Sequence, residues 1–592
     1  MWKGYLGASV ACLLLMVLLS FALNQICRGR ERKFPLFQFL FAGVFLSAVI
    51  LFLPVNSGDD GVGFRTVLLS VFNAMQIFTI GGEFSNVSQS VAGLPENVAA
   101  GVELWAAVLF VLAPIFTFGF VLSLFKNLSA NIRYWTTYFR DVYIFSELNE
   151  KSLVLAEDIK TNHKKAAIVF TDVFEDNEES SFELVEEAKK LGAICFRRDV
   201  AVIRFKNHAP KKALYFFAIG EDENENLNQS LKLIARYRDR ANTHLYVFCT
   251  QIQGELLLTS VDKGQIKVRR INAVQSLINR ILYEQGQQLF QTARPMKDGS
   301  KHISAVVVGL GNHGVEMLKA LAWFGQMDGY TLQIDAFDSD PLAEEKFTAL
   351  APELMSEKYN GVTVAGEAQY SITIHSAVDV QTASFANAVE KLKNASYVFV
   401  ALGDDGMNIH TAVRLRMYFA RMNLSPVIQA VVYNAQQKNA LTDIKNYRGQ
   451  PYDIQFVGDT RSSYTEAVIL DSEVEEEALK SHLKWGQEEE FWTYEYNYRS
   501  SSASAIHRKL RIKCGIAGAG KKPEELTLEE RDAIEVLEHR RWNAYMRAEG
   551  YVFSGSKDPA SRNDLAKMHN DLVVFDQLDE EEKRKDSRVG SE

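Results

Sequence analysis

The sequence predicts a helical membrane domain of pore type followed by α/β structure, with two tandem Rossmann-like domains and a small α-helical module at the C-terminus. Three observations predict it. Long apolar blocks are confined to the first 126 residues. Short β-rich runs then alternate with helical stretches, the pattern of parallel βαβ units. One Gly-x-Gly-x-x-Gly stands directly between a strand and a helix, the context that a phosphate-binding turn requires. A chain of 592 residues exceeds what one hydrophobic core supports. We divide it into a membrane domain at 1–130, Rossmann-like domains at 135–295 and 300–460, an acidic linker at 461–495 and a helical module at 496–592.

Tyr5 to Ile26 is an apolar run of about 20 residues, the length at which a helix crosses roughly 30 Å of hydrocarbon. The apolar region of a signal peptide is shorter, and a second run, Phe34 to Leu53, follows almost at once, so the first is read as an uncleaved span. Between them lies Arg28-Gly29-Arg30-Glu31-Arg32-Lys33, which the positive-inside rule places in the cytoplasm, with the N-terminus outside. Val102 to Leu124 forms a third span, and Lys126, Arg133 and Arg140 follow it on the cytoplasmic side. The expectation is a multi-pass protein of a cell (inner) membrane whose large C-terminal region is cytoplasmic.

Between the second and third spans, Arg65 to Phe78 is amphipathic and too weakly apolar for a good span, and it runs into Thr79-Ile80-Gly81-Gly82-Glu83. Irregular backbone at membrane depth survives only where it lines water or is buried in protein, and glycines allow carbonyl oxygens to replace the hydration shell of an ion. These residues are the candidate selectivity filter of a re-entrant pore loop. Thr79, Ile80 and Gly81 resemble the start of the Thr-Val-Gly-Tyr-Gly filter of potassium channels, whereas Gly82 and Glu83 depart from it toward general cation selectivity. The alternative is an extracellular amphipathic loop with an ordinary Gly-Gly turn. One pore loop cannot enclose a pore, so the reading implies a homotetramer. Pro114, inside the third span, is the candidate gate, because a missing N–H favours a kink.

Ile303 to Val308 reads as a buried strand, followed by Gly309-Leu310-Gly311-Asn312-His313-Gly314 and a helix. The first two glycines permit a tight turn and close approach to phosphate, and the third lets helix and strand pack. Asn312 and His313 stand at the helix start, where backbone N–H groups face an anion. A second strand ends at Asp338-Ser339-Asp340. Asp338 follows Gly314 by 24 residues, near the separation of about 20 at which an acid meets ribose hydroxyls. NAD or another adenine nucleotide is the expected ligand; a Rossmann fold that keeps its glycines for packing alone is the alternative. Further on, Tyr397 to Leu402 opens into Gly403-Asp404-Asp405-Gly406-Met407-Asn408, and Leu214 to Ile219 opens similarly into Gly220-Glu221-Asp222-Glu223-Asn224-Glu225-Asn226. The two halves are therefore an internal repeat.

A strand ending in Gly-Asp-Asp that leads into an Asn-bearing helix resembles the regulator-of-potassium-conductance (RCK, Trk-type nucleotide-binding) family, over about half of the chain. The resemblance implies a ring of such domains that converts ligand binding into a pull on a pore helix, with Gly403, Asp404, Asp405 and Asn408 joining the nucleotide site. The first copy departs from it, since Phe145-Ser146-Glu147-Leu148-Asn149 replaces the glycine turn. That copy is expected to serve assembly or another ligand.

The segment Gly515 to Lys522 has P-loop spacing, but Lys522 stands where Ser or Thr would hold Mg²⁺ and no buried strand precedes it, so it is read as a loop. Thr527-Leu528-Glu529-Glu530 starts a helix with a capping box and continues to Glu538-His539-Arg540-Arg541-Trp542-Asn543. With Gly550-Tyr551, Lys557-Asp558, His569-Asn570-Asp571-Leu572-Val573 and Leu578 to Asp586, this resembles the Ryr domain of ryanodine receptors and many bacterial proteins. Phe575 stands where that family commonly has Trp. Arg541, Trp542 and His569 are a candidate pocket for a nucleotide-like ligand, because arginine grips phosphate and an indole stacks on a base. The alternative places Trp542 in the core and Arg541 against a nearby Glu.

A net charge of −9 argues against a broad nucleic-acid surface. The five cysteines, Cys12, Cys27, Cys195, Cys249 and Cys514, are scattered without a CxxC pair, so neither a disulfide framework nor a metal site is expected. The leading expectation is a ligand-gated cation channel, potassium being one candidate ion, rather than an enzyme. A nucleotide-activated membrane effector of bacterial antiphage defence shares every feature and differs in toxicity on activation. A membrane-anchored oxidoreductase lacks a substrate domain and a catalytic constellation.

Overall fold

The computed structural model describes residues 2–28, 36–57, 61–79, 81–173, 179–205, 211–363, 367–470 and 472–590. It contains two compact units, Met1–Trp135 and Thr136–Glu592. Ile80 of the candidate filter and most of the basic loop (Gly29, Arg30, Glu31, Arg32, Lys33) lie outside the described residues.

The first unit consists of helices α1 (Trp2–Arg28), α2 (Leu36–Asn56), α3 (Phe64–Phe78), α4 (Phe84–Val91) and α5 (Glu96–Trp135). Three of these are long and apolar enough to cross a membrane, through Trp2–Ser20, Phe39–Asn56 and Glu96–Phe118. Ala48, Leu51, Ala74, Val102 and Ala106 form part of its buried core, where small residues allow close helix approach. Polar groups tie the helices as well. The Ser9 hydroxyl donates to the Ser47 carbonyl at 2.7 Å, and the Trp105 indole donates to Ser9 Oγ at 2.9 Å. Asn56 bridges α2 to α3, donating to Ser70 Oγ and accepting from Asn73, both at 3.1 Å.

α3 ends where the sequence predicted. Thr79 caps it, and the Gly81 N–H returns to the Gln76 carbonyl at 2.9 Å. Glu83 is the N-cap of α4, so Thr79, Gly81, Gly82 and Glu83 are the described residues between the two helices. A side chain on Gly82 would meet Ile77 Cγ2 at 2.6 Å, which makes this glycine a packing requirement. Pro114 lies within the continuous helix α5, where it removes one backbone N–H.

The second unit contains two six-strand parallel arrays of the same topology. The first has β1 (Val142–Phe145), β2 (Ala167–Phe170), β3 (Ile194–Cys195), β4 (Leu214–Ala218), β5 (Thr243–Phe248) and β6 (Lys267–Ile271), ordered β3-β2-β1-β4-β5-β6. The second has β7 (Lys301–Val308), β8 (Tyr330–Phe337), β9 (Ser371–His375), β10 (Tyr397–Val400), β11 (Val427–Val431) and β12 (Ile454–Val457), ordered β9-β8-β7-β10-β11-β12. Arg294–Pro295 adds a short antiparallel edge to β7. Residues 303–308 of β7 are buried without alternation, as a parallel strand covered on both faces requires. Each sheet reverses its order beside its first strand, which creates a crevice at the carboxyl ends of the strands. The helices that position the site are α6 (Glu150–Asn162), α7 (Glu223–Tyr237), α8 (Ala273–Gln285), α9 (Asn312–Phe324) and α10 (Asp405–Arg421).

The predicted acidic linker is folded. It forms four short helices, Thr460–Ser463, Glu466–Ile469, Ser472–His482 (α11) and Glu488–Thr493, because Val474, Ala478 and Phe491 interrupt the charge and bury. Glu476 and Glu488 are exposed and pair with Lys480 and Lys267, while Glu475 pairs with Arg269 and Glu477 with Arg508. The C-terminal module comprises α12 (Glu495–Lys513), α13 (Leu528–Ala548), the strands β13 (Val552–Phe553) and β14 (Met568–His569), and α14 (Glu580–Gly590). It packs on the Rossmann copies as part of one core, in which Leu537 and Tyr545 join Leu318 and Trp323. Charged pairs reinforce the seam: Arg270 grips Glu495 at 2.5–3.1 Å, and Lys319 meets Glu549 at 3.3 Å. Between α13 and α12, Glu538 is buried with Arg511 at 2.7 Å and Arg541 at 2.8 Å. The two guanidiniums hold its carboxyl down at about 2 against the effect of burial. The Gly515–Lys522 segment forms turns, with Lys521 on Glu530 at 2.7 Å.

Candidate nucleotide cleft

The glycine turn after β7 is built by close backbone approach. Gly309 has φ +91°, and a Cβ there would meet the Ala401 carbonyl oxygen at 2.4 Å. At Gly314 a Cβ would lie 1.7 Å from the Gly309 carbonyl oxygen, so this position packs α9 against the turn. Gly311 is different: it has open space around it and an ordinary negative φ. It is the N-cap of α9 and supplies no side-chain acceptor. The first-turn N–H groups, at Asn312 and His313 among others, therefore retain the donor capacity that a helix start offers an anion.

Asp338, at the end of β8, takes the Leu310 N–H at 2.6 Å on one oxygen and the Asp340 N–H at 2.7 Å on the other. The carboxylate fixes the turn and keeps lone pairs for hydroxyl donors. Beside it opens a cleft of about 580 Å³ lined by Gly309, Gly311, Asn312, His313, Asp338 and Gly403, among others, a volume typical of small-molecule sites. His313 and Tyr433 form one wall, with rings 5.7 Å apart and Tyr433 Oη 3.3 Å from His313 Nδ1. Burial lowers the His313 pKa and raises that of Tyr433, which favours their neutral forms.

Asp340, expected in the nucleotide site, accepts from Lys346 and from the Leu342 N–H at 2.9 Å, and lines a neighbouring cleft. The Lys346 bond holds its carboxyl below the usual range. The Gly-Asp-Asp and Asn residues need correction. Gly403, with φ +84°, lines the cleft, whereas Asp404, Asp405 and Asn408 are framework groups. Asp404 caps α10 through the Met407 N–H at 2.8 Å, and Asp405 accepts from the Tyr433 and Asn434 N–H groups at 2.9 Å each. Asn408, fully buried, takes the Leu402 N–H at 2.6 Å and donates to the Val431 carbonyl at 2.9 Å.

The first copy repeats this framework but caps the corresponding helix start. Asn226 takes the Gly220 N–H at 2.7 Å and donates to the Phe248 carbonyl at 3.0 Å, as Asn408 does in its own copy. Glu223 holds the Thr250 N–H at 3.1 Å, in the role of Asp405. At the turn, however, Asn149 caps α6 by accepting the Ser152 N–H at 2.9 Å, and the Ser152 hydroxyl answers on the Asn149 N–H at 2.9 Å. The Glu147 carboxylate lies within 2.8 Å of where a Cβ on Gly220 would stand. Burial raises its pKa. The cap takes the Ser152 N–H and an acid lies over the turn, and both oppose a phosphate there.

In the C-terminal module, the expected grouping of Arg541 with Trp542 and His569 does not form. Adjacent residues on a helix do not face each other. Arg541 is buried on Glu538, while Trp542 meets His569 with ring centroids 4.9 Å apart. Burial lowers the His569 pKa to about 4, and its Nδ1 accepts the Asp571 N–H at 3.1 Å, so the pair presents a neutral face. Tyr433, Met407 and Gln381 also line the main cleft and carry no motif that marks them in the sequence. Tyr433 follows β11, and the carboxyl ends of the strands are the signal that would have found it. No known family model and no curated protein matches the chain in sequence.

Proposed function

We propose that this protein is a nucleotide-gated cation channel, a homotetramer in a cell membrane with its N-terminus outside and its C-terminal region in the cytoplasm. One observation carries the reading: the uncapped start of α9 at Gly311, open to a cleft at the switch point of the second sheet, in a chain with three membrane-length apolar helices. NAD or another adenine nucleotide is the ligand class. Its phosphate sits on the Asn312 and His313 amides, and its ribose on Asp338. The two Rossmann copies act as RCK-type domains and the C-terminal helices as a Ryr-type module. In the membrane, Thr79–Glu83 of four copies surrounds the axis, with the exposed Glu83 carboxylates drawing cations and α5, bearing Pro114, as the moving helix. Leu104, Val108, Val111, Ile115 and Phe118, one exposed apolar stripe of α5, face lipid. Gating requires that the nucleotide bind two ring states unequally. The test is single-channel recording from purified protein in planar bilayers, with and without NAD or AMP. A tetramer that shows no nucleotide-dependent conductance overturns the proposal.

A further inference from the structure

The candidate nucleotide cleft lies at the carboxyl ends of the strands of the second sheet. A separate concave space, of about 700 Å³, lies at the amino ends of the strands of the first sheet. Arg140 and Asp141 lead into β1, Lys165 and Ala166 into β2, and Lys212 into β4, and His163, at the end of α6, adds to the wall. The volume falls in the usual range for small-molecule sites, about 300–1,000 Å³. The space shares no residue with the cleft at Gly309.

Charge sets this pocket apart. In a chain of net charge −9, it is lined by Arg140, Lys164, Lys165 and Lys212 against the single acid Asp141. Asp141 lies 3.5 Å from Lys212, and the nearby Glu466 is taken by His163 at 2.7 Å and by Asn162 at 2.9 Å. Among the described residues, Arg140, Lys164 and Lys165 make no ion pair, and all three are exposed. The positive field extends inward. Burial and then the Arg140 charge lower the pKa of Lys160, whose ammonium donates to the Ala166 carbonyl at 2.6 Å. The carboxyl end of α6 offers these cations only about half a negative charge. An unneutralised cluster of arginine and lysine suits a phosphate group, held by charge-assisted hydrogen bonds.

The chain itself indicates where that phosphate comes from. Only Thr136 to Phe139 separate Arg140 from the end of α5, a helix with an apolar stretch of membrane length. In that link Tyr138 and Phe139 are exposed, Phe139 by 79%, and their rings meet edge to face at 4.9 Å. Exposed aromatic rings beside basic residues are the composition of a membrane–water interface, where the rings sit at headgroup level and the cations are drawn to anionic lipid. A soluble phosphate would leave the Phe139 ring in water.

We propose that this pocket holds the headgroup of an anionic phospholipid, with the phosphate among Arg140, Lys164 and Lys165 and the Phe139 ring beside the upper acyl chains. The first Rossmann copy, which caps its own helix start, then serves as a membrane-docking domain. The site is independent of nucleotide binding in the second copy.

The test is native mass spectrometry of the full-length protein, released from a neutral detergent after equilibration with dioctanoyl phosphatidylglycerol, dioctanoyl phosphatidylcholine or glycerol 3-phosphate. Phosphatidylglycerol is expected to bind about tenfold tighter than the zwitterionic lipid. A lysine near an anionic headgroup contributes about fivefold in affinity, so Lys164→Gln combined with Lys165→Gln should weaken phosphatidylglycerol about twentyfold and leave phosphatidylcholine as it was. Both lysines are exposed, and the variant should match the wild type by circular dichroism. Phe139→Ser removes no charge and should weaken phosphatidylglycerol by a few fold with glycerol 3-phosphate unaffected. Equal binding of the two lipids, or a phosphatidylglycerol preference that survives the lysine changes, overturns the proposal. Glycerol 3-phosphate that binds as tightly as the lipid would make this a site for a soluble phosphate and overturn it as well.

Discussion

The two Rossmann copies share strand order, a buried asparagine and an acidic loop anchor, and they differ at one helix start. In the first, Asn149 and Ser152 satisfy each other across the first turn of α6, and Glu147 lies over the turn. In the second, Gly309, Gly311 and Gly314 bring the chain close to itself and leave the start of α9 uncapped. The framework is a matter of folding and is kept in both. The open helix start is a separate feature, set by a few residues in the turn. A functional claim about either copy therefore has to rest on the turn, and the experiments below are ordered by how strongly they disturb this contrast.

The largest effect is expected at Gly314. A Cβ there is 1.7 Å from a backbone oxygen, with no flexible side chain to move aside. Gly314→Val should force α9 off the turn and cost roughly 3 kcal/mol or more, read as a large fall in the midpoint of urea or thermal unfolding. The corresponding position of the first copy, Ser152, is fully buried but makes room for its hydroxyl, so Ser152→Ala should lose only about 1 kcal/mol, the capping bond. Equal costs at the two sites would break the claim that the turns are built differently.

The framework asparagines test the opposite half of the comparison. Asn226 and Asn408 each join the loop after one strand to the end of the next, with bonds of 2.6–3.0 Å in buried surroundings. Truncation to Ala leaves a buried N–H and C=O without their partner, a loss of about 2–3 kcal/mol. Asn226→Ala and Asn408→Ala should destabilise the protein by similar amounts, measured by chemical unfolding. A much larger loss for Asn408 alone, restored by nucleotide, would instead mark it as a ligand contact.

That outcome bears on what the sequence could tell. The apolar helices of membrane length, the strand–glycine–helix passage and the repeat were legible because each is local: an apolar run, a glycine at a required dihedral, a repeated phrase of adjacent residues. Asp405 and Asn408 were misplaced in the ligand site because the same phrase that accompanies a nucleotide also ties the loops together, and only the positions of the Tyr433 amide and the Val431 carbonyl separate the two roles. Arg541 was joined to Trp542 by adjacency in sequence, which on a helix separates side chains. The cleft lined by Gln251 and Asn272 of the first copy and Asn312 of the second could not be read at all, since only tertiary packing brings these residues to one space.

A smaller effect on stability, with a sharp effect on binding, is expected from converting one turn into the other. Gly311 has room for a side chain and a backbone compatible with an N-cap residue. Gly311→Asn should place an acceptor on the α9 amides as Asn149 does on those of α6, changing stability by only a few tenths of a kcal/mol. Nucleotide affinity should nevertheless fall at least tenfold by titration calorimetry, because the protein's own amide occupies the donors. A variant that binds as well as the wild type would show that the helix start is not the phosphate site.

The mildest change is predicted at Glu147, and it is visible chiefly in pH dependence. Burial is the leading cause that raises the pKa of this carboxyl above its ordinary value of 4.5, outweighing the bonds from Asn149 and the Glu221 N–H that favour ionisation. A folded-state pKa above the unfolded one means that the native protein binds a proton more readily. The associated stability is full below pH 4.5 and is lost as pH rises through the shifted value. At neutral pH the ionised acid is thus a small burden on the first copy. Glu147→Gln, which keeps the hydrogen-bonding shape without the charge, should raise the thermal midpoint slightly at pH 7 and flatten its decline between pH 4.5 and 7. It should not create nucleotide binding, because Asn149 still caps α6. Nucleotide binding acquired by this single change would place the block in the carboxylate alone and remove the helix cap from the explanation.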